Sequence, residues 1–257
     1  MGYLGVDIHE NVVVKNAGFD ENNYFGIDFT TKVNTDNLFE AFDEGESVEA
    51  DEGTIKLFSF NILDWEKKPK TAASIGTDIN ELKNTLVDIL KTQMPEADAK
   101  AKLSAAIMFK GLGVTAGDKT LNQKLLNQQF LDAVFNNIVT AFTAAIAPFY
   151  GQNPFRIKFV RQSKAKHYPK FPKRGKGFDV LVESMQVPKE ASKVKWTDYE
   201  LKNGLNSGVK QEADAPSTED TTKVENMFGD GSMDSGAPVD TAEQDTAPEV
   251  NPFAPQQ

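Results

Sequence analysis

Near the N-terminus, apolar residues gather in short β-branched and aromatic stretches, residues 11–15 (NVVVK) and 24–31 (YFGIDFTT), separated by the turn-prone GFDENN. Such side chains fit a pleated, half-buried surface, and Gly, Asp and Asn supply the turn, so a hairpin is predicted. Residues 54–63 (TIKLFSFNIL) alternate, with Ile55 and Leu57 on one parity and Phe58, Phe60 and Ile62 on the other, as a third strand would. From about Thr77 to Pro148 the period lengthens to that of a helix. Ile79, Leu82, Leu86, Ile89 and Leu90 predict one helix ending near Pro95, residues 97–110 a second ended by Gly111 and Gly113, and Leu121 to Ile146 a long third stopped by Pro148. The apolar stripes of these helices are expected to be core, and GLGVTAG at 111–117 an interhelical turn.

Strand character returns at 155–162 (FRIKFVRQ) and 178–187 (FDVLVESMQV). On the first of these, Arg156, Lys158 and Val160 share one parity and Phe155, Ile157, Phe159 and Arg161 the other, which predicts a basic face opposite an apolar one. The order is three strands, helices, then two strands. That is the order of an OB-fold, a five-stranded barrel with its helix between the third and fourth strands. The expected class is therefore α+β, mainly β: an OB-like domain over residues 1–207 with a helical insertion at about 75–149, followed by a disordered acidic tail, 208–257, whose Asp, Glu, Pro, Ser, Thr and Gly cannot build a core.

Charge sharpens this picture. The net charge is −10, and residues 212–257 alone, with eleven acids against Lys223, account for all of it, so the body is neutral and the low pI belongs to the tail. Within the neutral body, residues 155–178 hold nine cations and no acid: Arg156, Lys158, Arg161, Lys164, Lys166, Lys170, Lys173, Arg174 and Lys176. Phe155, Phe159, His167, Tyr168 and Phe171 are interleaved with them. Concentrated cations of one sign serve steering or binding, and an anionic partner is expected. Lys67, Lys68 and Lys70 mark a second, smaller basic loop that could extend the same surface.

Alternating cations and rings suit a single strand better than a duplex. A cation pairs with each phosphate, and an unpaired base offers a π-face that an aromatic ring covers without regard to sequence. A duplex reader needs a basic helix or ribbon for the groove, and none of the helices here is basic enough. The candidate contacts are Arg156, Lys158, Arg161, Lys164, Lys166, Tyr168, Lys170, Phe171, Lys173, Arg174 and Lys176, with Tyr168 and Phe171 either stacking rings or core anchors of the loop. Trp65 and Trp196 are expected to pack, since large aromatics dominate cores, with stacking on bases as the alternative.

The arrangement resembles the single-stranded DNA-binding proteins of replication systems, phage-encoded ones above all: an OB core followed by a flexible acidic tail that ends near a Phe. The resemblance implies sequence-nonspecific binding to single-stranded DNA in phage-type replication or recombination, in the host cytoplasm. It also implies replication partners that dock on the tail, here through Pro252 and Phe253 behind the acids from Asp230 to Glu249. The alternative is a virion or scaffold structural protein that contacts nucleic acid. The oligomeric state stays open.

Enzymatic readings find little support. No Walker-type phosphate loop is present, and no Ser-His-Asp set assembles around His9 or His167. Absence of cysteine excludes disulfides and thiolate zinc sites, and no cofactor is expected. The eight carboxylates from Asp36 to Glu52 read as a solvated loop, with a metal nuclease as the rival reading. The N-terminus lacks a signal-peptide pattern, and the apolar region 133–149 reads as a buried helix rather than a membrane span.

Overall fold

The structure, a computed structural model, describes residues 4–31, 50–115, 117–163, 166–172 and 180–206. It is a mixed α+β fold around a five-stranded antiparallel sheet of order β3-β2-β1-β4-β7, with a separate two-stranded ribbon, β5-β6. The strands are β1 (Ile8–Phe19), β2 (Phe25–Thr31), β3 (Glu52–Leu57), β4 (Phe155–Lys158), β5 (Val160–Ser163), β6 (Lys166–Lys170) and β7 (Val182–Ser184).

Alternation explains the sheet. Phe25, Ile27 and Phe29 of β2 are buried, while Tyr24, Gly26, Asp28 and Thr30 fall on the other parity. Strand β1 is longer than the apolar run 11–15 indicates. Its pairing with β4 slips between His9 and Val12, where Asn11 takes φ 54°, and its pairing with β2 slips between Val14 and Asn16. These irregularities bend the strand so that one sheet serves two neighbours. At the free edge of β3, the Leu4 N–H donates to the Glu52 carbonyl at 2.9 Å. A Cβ on Gly53 would lie 2.9 Å from the Leu4 carbonyl oxygen, so this close approach needs glycine.

The third strand stops at Leu57 rather than running to residue 63. Beyond it the chain leaves the sheet, and Phe60 packs edge-on against Phe135 at 5.9 Å. The helical block between β3 and β4 contains α1 (Ala72–Lys91), α2 (Glu96–Lys102), α3 (Ala105–Met108), α4 (Leu121–Leu125) and α5 (Gln128–Ile146). Two of the three expected helices are split, at Ser104 and at Asn127. The Asn127 side chain accepts the Phe130 N–H and so caps α5, as Thr71 caps α1 by accepting from Ser74. The glycines at 111, 113 and 117 all have positive φ, and the segment is an interhelical turn. Helix α5 is long and apolar enough to cross a membrane by length and composition; its stripe of Leu131, Val134, Phe135, Ile138, Val139, Phe142 and Ile146 is buried in the protein core.

After β4 the chain bends at Phe159, whose N–H donates to Asp7, and enters the β5-β6 ribbon. The ribbon lies close to β3, but no hydrogen-bonded ladder joins β3 to β6 among the described residues. The expected strand 178–187 is reduced to β7 on the far edge of β4. A C-terminal segment with one short helix, α6 (Asp198–Lys202), then covers β4.

Candidate nucleic-acid interface

The basic run divides into two structural parts. In the first, on β4, both cations are buried and neutralised. Arg156, at 2 % exposure, bonds Glu10 at 3.2 Å through Nε and Glu183 at 3.1 Å through Nη1. Lys158 is fully buried and donates to the Glu200 carboxylate at 2.7 Å and to the Lys195 carbonyl at 2.8 Å, and its Nζ lies 5.6 Å from the centre of the Trp196 ring. Glu200 also closes a capping box on α6: it accepts the Thr197 N–H while Thr197 accepts its own. Arg161, on β5, is buried as well, and its backbone N–H donates to Leu205. The expectation that Arg156 and Lys158 form a basic face, with Arg161 a further contact, is thus corrected. For Arg156 and Lys158 the cause is tertiary: acids far away in the chain return to neutralise them, because a buried cation without a partner is too costly.

The second part is the ribbon. Tyr168 projects from β6 and is 73 % exposed, flanked in sequence by Lys166 and Lys170. Phe171, three residues on, points the other way into a cluster of rings. Its centroid is 6.2 Å from Phe29 and 6.1 Å from Phe159, and those two lie 5.3 Å apart. Of the alternatives open for these two rings, Phe171 is therefore the core anchor and Tyr168 is not. Lys164, Lys173, Arg174, Lys176, Pro252 and Phe253 lie outside the described residues.

Sequence patterning missed a further set of rings on the outer face of β2 and β3. The register pairs Phe25 with Leu57, which sets Tyr24 beside Phe58 just beyond the ladder. Their rings meet edge-on at 5.8 Å, and both are exposed, Phe58 at 64 %. Lys56 lies 5.3 Å from the Tyr24 centroid and 2.8 Å from Asp20. The hydrogen bond to Lys56 holds the Asp20 carboxyl below its usual range, and the same bond raises Lys56. Asp20 also accepts the N–H groups of Asn22 and Tyr24, so it braces the turn that presents the ring. Parity carried a partial signal, since Tyr24 opposes the buried face of β2, but the pairing of Tyr24 with Phe58 follows only from strand register.

The tryptophans behave differently from each other. Trp196 is partly buried and packs under Lys158 as expected, whereas Trp65 is 89 % exposed, contrary to the expectation that it packs. Among the described residues no group of three or more His, Asp or Glu is placed to hold a metal ion, and most of the Asp36 to Glu52 acids lie outside those residues. No protein-family model, no curated protein and no solved structure matches this chain.

Proposed function

We propose that this chain binds single-stranded DNA without sequence preference, with no catalytic role, and protects strands and recruits partners in phage-type replication or recombination. The observation that carries the proposal is Tyr168: a large ring, mostly in solvent, on a two-stranded ribbon whose sequence is the most cationic of the chain. A stacking residue needs exposure on a rigid support, and cations alongside it to hold phosphates. The exposed Tyr24 and Phe58 pair, just beyond the ends of β2 and β3, offers further stacking rings, while Lys56 beside them is paired with Asp20.

Topology supports an OB-like reading of the body. Strand β1 pairs with both β2 and β4, β2 pairs with β3, the helices fall between β3 and β4, and β6 approaches β3. On that plan the turn after β1, the outer face of β2 and β3 and the β5-β6 ribbon belong to one ligand surface. The acidic tail, ending near Pro252 and Phe253, is proposed as the partner-docking element.

The test is a competition gel shift with single- and double-stranded DNA and RNA across a salt series. Single-stranded DNA should win. With five or six phosphates paired by Lys164, Lys166, Lys170, Lys173, Arg174 and Lys176, log K should fall with log salt at a slope of about −3.5 to −4.2, at about −0.7 per phosphate. Equal affinity for duplex, or a slope near zero, would rule the proposal out, and salt-independent assembly of the protein would favour the structural-protein alternative.

A further inference from the structure

Trp65 is the most exposed large ring among the described residues, and the backbone beneath it is fully built. Asp64 and Lys68 close a tight turn, with the Asp64 N–H donating to the Lys68 carbonyl at 2.8 Å, and Leu63 bridges to Pro69. The Asp64 carboxylate accepts the N–H groups of Glu66 and Lys68, each at 2.8 Å, and Lys67 takes the left-handed φ of 63° that completes the turn. The base of the hairpin is tied to the helical block. The Gln128 side chain donates to the Phe60 carbonyl at 2.7 Å and accepts the Ile62 N–H at 3.2 Å, while the Lys70 ammonium bonds Asp78 at 2.7 Å. A loop so fully hydrogen-bonded has no need of a solvated tryptophan at its tip. About 200 Å² of aromatic surface is left in water there, available to stack on a ligand.

The surroundings of the ring select the ligand. Its sequence neighbours Glu66, Lys67 and Lys68 are exposed and charged, with the exposed Leu63 and Pro69 at the base of the hairpin, so the tip is more polar than the centre of a protein–protein hot spot. One isolated π-face beside a cation is what an unpaired base requires. Lys67 forms no ion pair among the described residues, whereas Lys68 pairs with Glu66 and Lys70 with Asp78, so the hairpin carries little net charge and offers stacking first. It also follows directly in the chain from Phe58, the partner of Tyr24.

We infer that the Leu63–Pro69 hairpin is a base-stacking finger, in which Trp65 covers one unpaired base of a single DNA strand and Lys67 meets the adjoining phosphate. The inference rests on the single-strand binding proposed above and extends its footprint beyond the β5-β6 ribbon.

Intrinsic fluorescence of the full chain tests it, because Trp65 and Trp196 are the only tryptophans. Titration with oligothymidylate should quench the emission of wild type and of Trp196→Phe, while Trp65→Phe should bind with nearly wild-type affinity and show little quenching. Trp65→Ala should bind about 5-fold to about 150-fold more weakly, the range that loss of one stacked base produces, with its salt slope unchanged. Lys67→Ala should reduce the slope by about 0.7. An oligothymidylate that is retained in a gel shift yet leaves Trp65 emission unmoved would overturn the finger and leave single-strand binding standing. No retention by wild type would overturn both. Emission from Trp65 that changes with protein concentration alone would assign the ring to a second copy of the chain and overturn the finger. A lowered thermal midpoint in both Trp65 variants would make the ring structural and overturn it too.

Discussion

Strand β4 and the β5-β6 ribbon share one uninterrupted cationic run in the sequence, yet they meet opposite fates. On β4, Arg156 finds Glu10 on β1, 146 residues away, and Glu183 on β7, and Lys158 finds Glu200, 42 residues away, so Arg156 ties neighbouring strands together and Lys158 fastens the sheet to the C-terminal segment. On the ribbon, Tyr168 stands in solvent between two lysines of the sequence. A dense run of positive charge therefore does not by itself mark a ligand surface. What distinguishes the two parts is whether distant carboxylates return to meet the cations, and a buried charge persists only where they do.

The sharpest way to break the comparison is to remove an acid from the buried part. Glu200→Ala strands the Lys158 ammonium in the interior, and loss of one partner of a buried pair costs about 3–5 kcal/mol. Chemical denaturation should show that loss, while the folded fraction keeps its affinity for oligothymidylate. Unchanged stability with weakened binding would mean that β4 belongs to the ligand surface after all.

The two rings of the ribbon offer a paired test. Phe171→Ala opens the cluster with Phe29 and Phe159 and should cost about 3 kcal/mol of stability, the lower end for a buried phenylalanine, because Phe171 sits at the rim of the core. Tyr168→Ala should leave stability within about 0.5 kcal/mol and weaken binding by about 1–3 kcal/mol with an unaltered salt slope. If Tyr168→Ala lowers the unfolding midpoint as far as Phe171→Ala does, the division between them fails.

The acidic tail sharpens the same contrast from the other side. The last described residues return to the ribbon, where the Leu205 carbonyl accepts the Arg161 N–H at 2.9 Å, so the acids beyond residue 212 are tethered close to cations that have no acid neighbours in sequence. Tethering gives them a high effective concentration there. Removing residues 212–257 should tighten oligothymidylate binding, most at low ionic strength where screening is weakest. Identical affinities in low salt would show that the tail does not compete.

The smallest effect concerns a half-buried ion pair. Asp118 accepts from Lys124 and from both the hydroxyl and N–H of Thr120, and these bonds hold its carboxyl down to about 2. A depressed carboxyl contributes stability that is complete above its ordinary value near 3.8 and is lost as pH falls towards about 2. NMR titration should place the Asp118 midpoint near 2, and Asp118→Asn should remove this part of the acid dependence while changing neutral-pH stability far less than Glu200→Ala does. A midpoint at the ordinary carboxylate value would show that the contact is not maintained in solution.

Much of the fold was legible because its signals are local. The alternation of Phe25, Ile27 and Phe29 places one strand face in the core, the spacing of Ile79, Leu86 and Ile89 one helix face, and the glycines at 111, 113 and 117 mark a turn that only positive φ allows. Boundaries were less so. Residues 58–63 alternate like a strand, but Gln128 captures the backbone at Phe60 and Ile62, and the chain leaves the sheet. Asn127 and Ser104 divide helices that the apolar period runs together; at Asn127 the side chain caps the Phe130 N–H, and capping competes there with continuation.

The sequence alone determined the α+β class, the helical block between the third and fourth strands, and the concentration of cations and rings in one stretch. Only the tertiary structure decided which of those groups are buried and which stand in solvent. Periodicity constrains neighbours within a few residues, whereas the burial of Lys158, the anchoring of Phe171, the meeting of Tyr24 with Phe58 and the display of Trp65 depend on partners brought from remote parts of the chain, or on their absence. Burial of a charge requires a specific opposite charge at bonding distance, and no local pattern encodes where a chain will fold to supply it.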